Sequence, residues 1–275
     1  MSDVTRSAEP RIIAIANQKG GVGKTTTAIN LAAGLVGLGA RVLVVDIDPQ
    51  GNASTGLGIG PEKRHPSTYD LLVEEVPISE VVQETKIANL LICPGNSDLS
   101  SADIDLVSNE KRSFLLHDAL RQPAVDQLAL DFMLIDCPPS LSLLTVNALV
   151  ASHSVLIPLQ AEFYALEGLS QLMLTVRKVR QSANPALRIE GVVITMFDGR
   201  NRLCQQVEND ARNTLGDLVF KTVIPRNVRV SEAPSFALPV LQYDASSKGS
   251  EAYRNLSAEL LARHPIAEMA TGKLN

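Results

Sequence analysis

The 275 residues predict an α/β fold: a doubly wound, mostly parallel sheet with helices on both faces. Three observations carry that expectation. Short apolar runs rich in β-branched residues recur along the chain, stretches with helical spacing separate them, and a glycine-rich turn joins the first run to the first helical stretch. Parallel strands covered on both faces read as continuous apolar runs rather than alternating ones. Strands that alternate with helices build βαβ units.

In chain order, the expected strands are 11–16, 41–47, 90–93, 132–135, 154–158, 189–195 and 219–224. Helical spacing falls at 26–38, 113–121, 166–181 and 202–215. A last amphipathic stretch, 251–263, puts Tyr253, Leu256 and Leu260 on one face, as a helix packed on a sheet requires. Stretches 56–66 and 243–250 are rich in Gly, Pro, Ser and charge and are expected as surface loops rather than linkers. The organisation expected is a disordered polar segment 1–10, one domain 11–264 and a tail 265–275.

Composition narrows the function. An apolar content of 45% in this length is enough for one large core. A net charge of -5 excludes a surface coated in basic residues, so any nucleic-acid contact needs a local patch. Cys93, Cys137 and Cys204 are odd in number and follow no CxxC spacing, which fits a reducing compartment without a disulfide frame. The polar start MSDVTRSAEP and the lack of any membrane-length apolar run point to a cytoplasmic protein with no membrane partner.

Open α/β sheets bind ligands at the carboxyl ends of their strands, and three such ends here carry chemistry. The first is Asn17-Gln18-Lys19-Gly20-Gly21-Val22-Gly23-Lys24-Thr25-Thr26, lying between a strand and a helix. Glycines let backbone N–H groups approach phosphate oxygens, and the helix N-terminus adds partial positive charge. Lys24 would reach the β and γ phosphates of a nucleotide, and Thr25 would offer its hydroxyl to Mg²⁺. The second end, Asp46-Ile47-Asp48-Pro49-Gln50-Gly51, and the third, Asp136-Cys137-Pro138-Pro139, each deliver acids from an apolar strand. Such acids are costly unless they meet a cation or orient a water.

The phosphate loop departs from GxxxxGK[ST], because position 18 is Gln and position 19 is Lys. KGGxGK[ST] instead resembles the deviant Walker A group of P-loop NTPases. With VLVVDIDPQGNASTGLG, LIDCPPSLSLLTVNAL, EFYALEGLSQL and VIPRNVRVSEAPSFALPV, the chain resembles the ParA family, in particular its Soj form, over nearly its whole length. The resemblance implies an ATPase with ATP and Mg²⁺ as cofactors and chromosome or plasmid partition as its role. It implies that Lys19 acts in trans across an ATP-dependent homodimer, that Asp48 orients or activates the attacking water, and that Asp46 and Asp136 serve the magnesium shell. Catalysis would then rest on Lys19, Lys24 and Asp48. Nucleotide binding would rest on Lys19 through Thr26, with Met196, Pro225, Arg226 and Asn227 around the adenine.

The same resemblance implies nonspecific double-stranded DNA and a ParB-like protein as partners, and a nucleoid-associated location. Residues 177–229 hold ten basic and five acidic side chains, a net +5 that leaves -10 for the rest, which marks a face suited to phosphates. Arg200 and Arg229 match DNA-binding positions of Soj-like proteins; Arg202 and Lys248 are added for their nearness in sequence. Two rival readings are a membrane-cycling ATPase and an iron–sulfur reductase. The first wants a basic amphipathic C-terminal helix, whereas 264–275 opens on His264-Pro265 with one lysine against one glutamate. The second wants two cysteine ligands per subunit, and only Cys137 lies beside a switch motif.

Overall fold

The computed structural model describes residues 9–266 apart from 163 and 164 and the side chains of 165–167. Most of segment 1–10 and of tail 265–275 lies outside the described residues, as do Phe163 and Tyr164 of the EFYALEG motif. Eight strands form one sheet: β1 (Arg11–Ile15), β2 (Val42–Asp46), β3 (Gln83–Glu84), β4 (Leu90–Cys93), β5 (Phe132–Asp136), β6 (Ser154–Gln160), β7 (Arg188–Phe197) and β8 (Val219–Pro225), in the spatial order β3-β4-β2-β5-β1-β6-β7-β8. All pairings are parallel except β3 with β4. The seven expected strands are all present. The two-residue antiparallel β3 has no sequence signal, because Gln83 and Glu84 are polar and sit on the sheet edge.

Alternation along the strands explains the two faces. Ile12, Ala14, Leu43 and Val45 belong to one apolar cluster, whereas Ile13, Ile15, Val42 and Val44 belong to another across the sheet. Both faces are therefore covered, as the continuous apolar runs demand. The expected helix 26–38 runs Lys24–Gly37 and starts at the phosphate loop itself, with Gly23 as its N-cap at φ +89°. The last helix is Lys248–Arg263, three residues longer at its start than expected, and buries Tyr253, Leu256 and Leu260 as the pattern requires.

Expected helix 113–121 shortens to Leu115–Ala119, and 166–181 and 202–215 appear as Ala165–Ser182 and Arg202–Leu215. The two stretches expected as surface loops are so only in part. Arg64 is 6% exposed behind the short turn Pro61–Lys63, and Ser250 is fully buried in the last helix. Both side chains find backbone carbonyls, Arg64 Nε that of Ile59 and Ser250 Oγ those of Val240 and Asp244. Composition does not reveal those partners.

Candidate nucleotide site

Register brings the chemistry together. Asp136 at the end of β5 pairs with Ile15 of β1 on one side and with Asp46 of β2 on the other. Three adjacent strand ends therefore deliver the phosphate loop and both acid motifs to one place. Asn17 anchors the loop, donating from Nδ2 to the Pro158 carbonyl at 2.8 Å and accepting the Lys19 N–H at 3.0 Å. Thr195 Oγ1 donates to the Val22 carbonyl at 2.8 Å and ties the loop to β7.

Lys24 is 6% exposed and its Nζ donates to the Lys19 carbonyl at 3.1 Å, which holds the amine inside the loop. Burial lowers its pKa, and the charges of Asp136 and Asp48 oppose that shift. Asp136 is fully buried, and neither of its carboxylate oxygens makes a well-formed hydrogen bond with the protein. Burial pushes its pKa well up, Asp46 adds to the rise, and the Thr25 hydroxyl and Lys24 pull it down. An orphaned buried carboxylate is expensive. It fits a hard cation and its water shell, supplied beside a threonine hydroxyl and nucleotide oxygens. Among the described residues no group of three or more His, Cys, Asp or Glu is placed to cage a metal by itself.

Asp46 is buried too but fully occupied. Its Oδ2 accepts from the Ser54 N–H at 2.8 Å and the Ser54 hydroxyl at 2.7 Å, and its Oδ1 from the Asp48 N–H at 3.2 Å. Burial still pushes its pKa up to about 6. The geometry makes Asp46 the tether of the loop that carries Asp48, and leaves Asp136 as the acid open to a cation. Asp48 is 6% exposed and spends Oδ1 on the Gln50 N–H at 3.0 Å. Lys19 Nζ pairs with Glu162 Oε2 at 2.8 Å, both side chains being partly exposed.

The adenine candidates converge. Met196, Pro225, Arg226 and Asn227 line a cavity of about 200 Å³ together with Gly23 and Thr26 of the phosphate loop. Met196 sits at φ +51° at the end of β7, and the Arg226 N–H donates to the Phe197 carbonyl at 2.9 Å, which fixes the two strand ends together. Val230, Ser231, Pro234 and Tyr253 also line it. Of these, Tyr253 was legible as a buried helix residue but not as a site residue.

The basic candidates are arranged less uniformly. Arg200 pairs with Asp198 at 3.1 Å and Arg229 with Glu232 and Asp244 at 3.0 and 3.3 Å. Arg202 is exposed at the start of its helix, and Lys248 lines an open groove of about 540 Å³ with Lys221 beside Pro225. Lys221 was counted in the charge balance but not singled out. Cys137 lies fully buried inside an apolar cluster, its thiol pKa pushed up by burial. Such a thiol is not placed to bridge to a second subunit.

Comparison with known proteins gives the family. The profile of the family described as AAA domain matches residues 10–189. The chromosome partitioning protein ParA of Caulobacter vibrioides is 54% identical over 94% of this chain and 96% of its own. The chromosome-partitioning ATPase Soj of Thermus thermophilus is 50% identical over 93% and 97%. Among solved structures, the cobyrinic acid a,c-diamide synthase of Mycobacterium smegmatis with bound ADP and magnesium superposes with a TM-score of 0.79 at 36% identity, covering 92% of this chain and 95% of that one. Identity at this level across nearly the full length places the chain in the ParA/Soj family of chromosome-partitioning ATPases.

Proposed function

We propose that the chain is an ATP-dependent DNA-partitioning switch: an ATP-bound sandwich homodimer that holds DNA without sequence preference and is released when a ParB-like partner stimulates hydrolysis. The observation that carries this reading is the meeting of buried Lys24, Asp48 and unpartnered Asp136 beside a cavity bounded by Met196 and Asn227. In it, the loop 19–26 and Lys24 cradle the phosphates, and the 196/225–227 wall holds the base. Thr25 and Asp136 would hold Mg²⁺, which would neutralise charge on the β and γ phosphates. Asp48 orients a water in line with the γ phosphorus, and the bond to the β-phosphate oxygen breaks to give ADP and phosphate.

Lys19 then supplies a second cation from the partner protomer, where charge develops in the transition state. The face of Arg200, Arg202, Arg229 and Lys248 meets DNA phosphates. A monomer offers few such contacts; a dimer doubles them on one surface, so DNA binding follows ATP binding. This reading also puts the protein in the cytoplasm, associated with the nucleoid. Among the described residues no helix is long and apolar enough to cross a membrane. The decisive experiment is ATP turnover measured alone, with DNA, and with DNA plus a ParB-like protein; turnover indifferent to both additions would overturn the switch.

A further inference from the structure

Arg64 is a guanidinium taken almost wholly out of water, at 6% exposure, and among the described residues no carboxylate lies within ion-pair distance of it. Burying a charge is costly unless its donors are satisfied. Here Nε donates to the Ile59 carbonyl at 3.1 Å and NH2 donates to Thr55 Oγ1 at 2.6 Å. The third nitrogen, NH1, is packed against Gly51: a Cβ built there would lie 2.1 Å from NH1 and 2.6 Å from the Gly95 carbonyl oxygen. Gly51 also sits at φ +60°, so glycine is required twice over, by conformation and by the arginine.

What these contacts hold is the turn that follows Asp48. The Gly51 N–H donates to the Asp48 carbonyl at 2.9 Å, and the Gly51 carbonyl accepts the Thr55 N–H at 3.0 Å and the Thr55 hydroxyl at 3.2 Å. Thr55 and Ser54 lie one residue apart on the short helix Asn52–Gly56. Ser54 tethers that helix to Asp46 from one side, and Arg64 grips Thr55 and Gly51 from the other. The arginine stands on fixed ground. Ser67 and Asp70 cap the helix Thr68–Val73, and the Thr68 N–H donates to the Pro94 carbonyl at 2.8 Å at the end of β4.

We infer that Arg64 is a positioning residue for hydrolysis, which fixes the 48–55 turn so that Asp48 is held at the γ-phosphate end of the site. The inference rests on the proposed role of Asp48. Lys cannot replace it fully, because one ammonium cannot reach Ile59 O and Thr55 Oγ1 in the fixed fork that guanidinium provides. Phosphate and base contacts lie elsewhere, so ATP affinity is not the quantity Arg64 controls.

The test is steady-state ATP hydrolysis by the full chain, with ATP affinity read separately from a fluorescent nucleotide analogue. Arg64→Met is expected to lower kcat about ten- to a hundredfold, the usual result of misplacing a reacting group by an ångström, with ATP affinity within about threefold of the parent. Arg64→Lys is expected to fall between. Should Arg64→Met fail to fold, the Thr55 pair decides: Thr55→Val lowers kcat and Thr55→Ser, which keeps the hydroxyl, restores it. Asp48→Ala is run in parallel. Parental kcat in folded Arg64→Met or in Thr55→Val, with Asp48→Ala slow, overturns the role of Arg64 alone; parental kcat in Asp48→Ala overturns the reading of Asp48 on which it rests. Loss of kcat and ATP affinity together in folded Arg64→Met, or in Thr55→Val, would make Arg64 a purely structural residue and also overturn the inference.

Discussion

Glu162→Ala should tighten ATP-dependent dimerisation, and the size of the effect can be worked from the Lys19 ion pair. Lys19 Nζ and Glu162 Oε2 are 2.8 Å apart, with side-chain exposures of 37% and 47%. A pair this wet is worth about 0.2–1 kcal/mol after screening. If Lys19 reaches the partner's phosphates, each protomer gives up that pair on assembly. Removing Glu162 spares this loss, a factor of about 1.4 to 5 per lysine, and about two- to thirtyfold for the two lysines of a symmetric dimer. The gain should shrink with added salt, since the competing pair is screened first. Sedimentation velocity of Glu162→Ala with Mg-ATP, in an Asp48→Ala background that stays loaded, reads the dimer constant directly. A dimer that is unchanged or weaker at low salt would refute the trans role of Lys19 or give Glu162 a place in the interface itself.

Three further outcomes are expected. Lys24→Ala should lose ATP binding, whereas Asp48→Ala should bind ATP, dimerise and turn over slowly; isothermal titration and phosphate release separate the two, and unchanged ATP affinity in Lys24→Ala would remove the phosphate-loop assignment. Arg229→Ala and Lys248→Ala should weaken DNA binding to all sequences alike and flatten the slope of log affinity against log salt by about one unit per contact per subunit, with equal DNA affinity in ADP and ATP as the contrary result. Glu190 gives the pH dependence: burial alone would raise its pKa, but hydrogen bonds from His264 and Ser154 and the charge of Arg11 hold it down at about 2. A carboxyl lowered in the folded state stabilises fully above its ordinary value of 4.5 and loses that contribution as pH falls toward 2, so Glu190→Gln should flatten the fall of the urea midpoint across that window; an unchanged fall would refute the assignment.

The parts of the site legible in sequence are those whose signal is local. Lys24 next to Thr25 at a helix start, Asp48 two residues past a buried strand and Asp136 at the end of another announce themselves by their immediate neighbours. The seven parallel strands were legible because both faces are apolar, whereas the polar edge pair Gln83–Glu84 was not. Arg64 was not, because a basic residue in a Gly- and Pro-rich stretch reads as solvated; its partners Thr55 and Ile59 are near in sequence, but the missing side chain of Gly51 is what leaves room for its guanidinium. Glu162 was missed for a related reason, since its partner Lys19 is 143 residues away. The roles of Asp46 and Asp136 were grouped by analogy, and only the hydrogen bonds of Ser54 separate the tethered acid from the open one.

The strand order β2-β5-β1-β6-β7-β8 has a consequence for how the protein is made. The phosphate loop leaves the ribosome early, yet β1 lies between β5 and β6, and the base cavity closes only with residues 225–234 and Tyr253. Some 200 residues separate Lys24 from Pro225, or about 10 to 40 s of synthesis at common elongation rates. During that interval a nascent chain carries Lys24 but not the cavity proposed for the base. Nucleotide can therefore stabilise the finished molecule but not guide its early folding, and the long-range parallel pairings must form first and unaided.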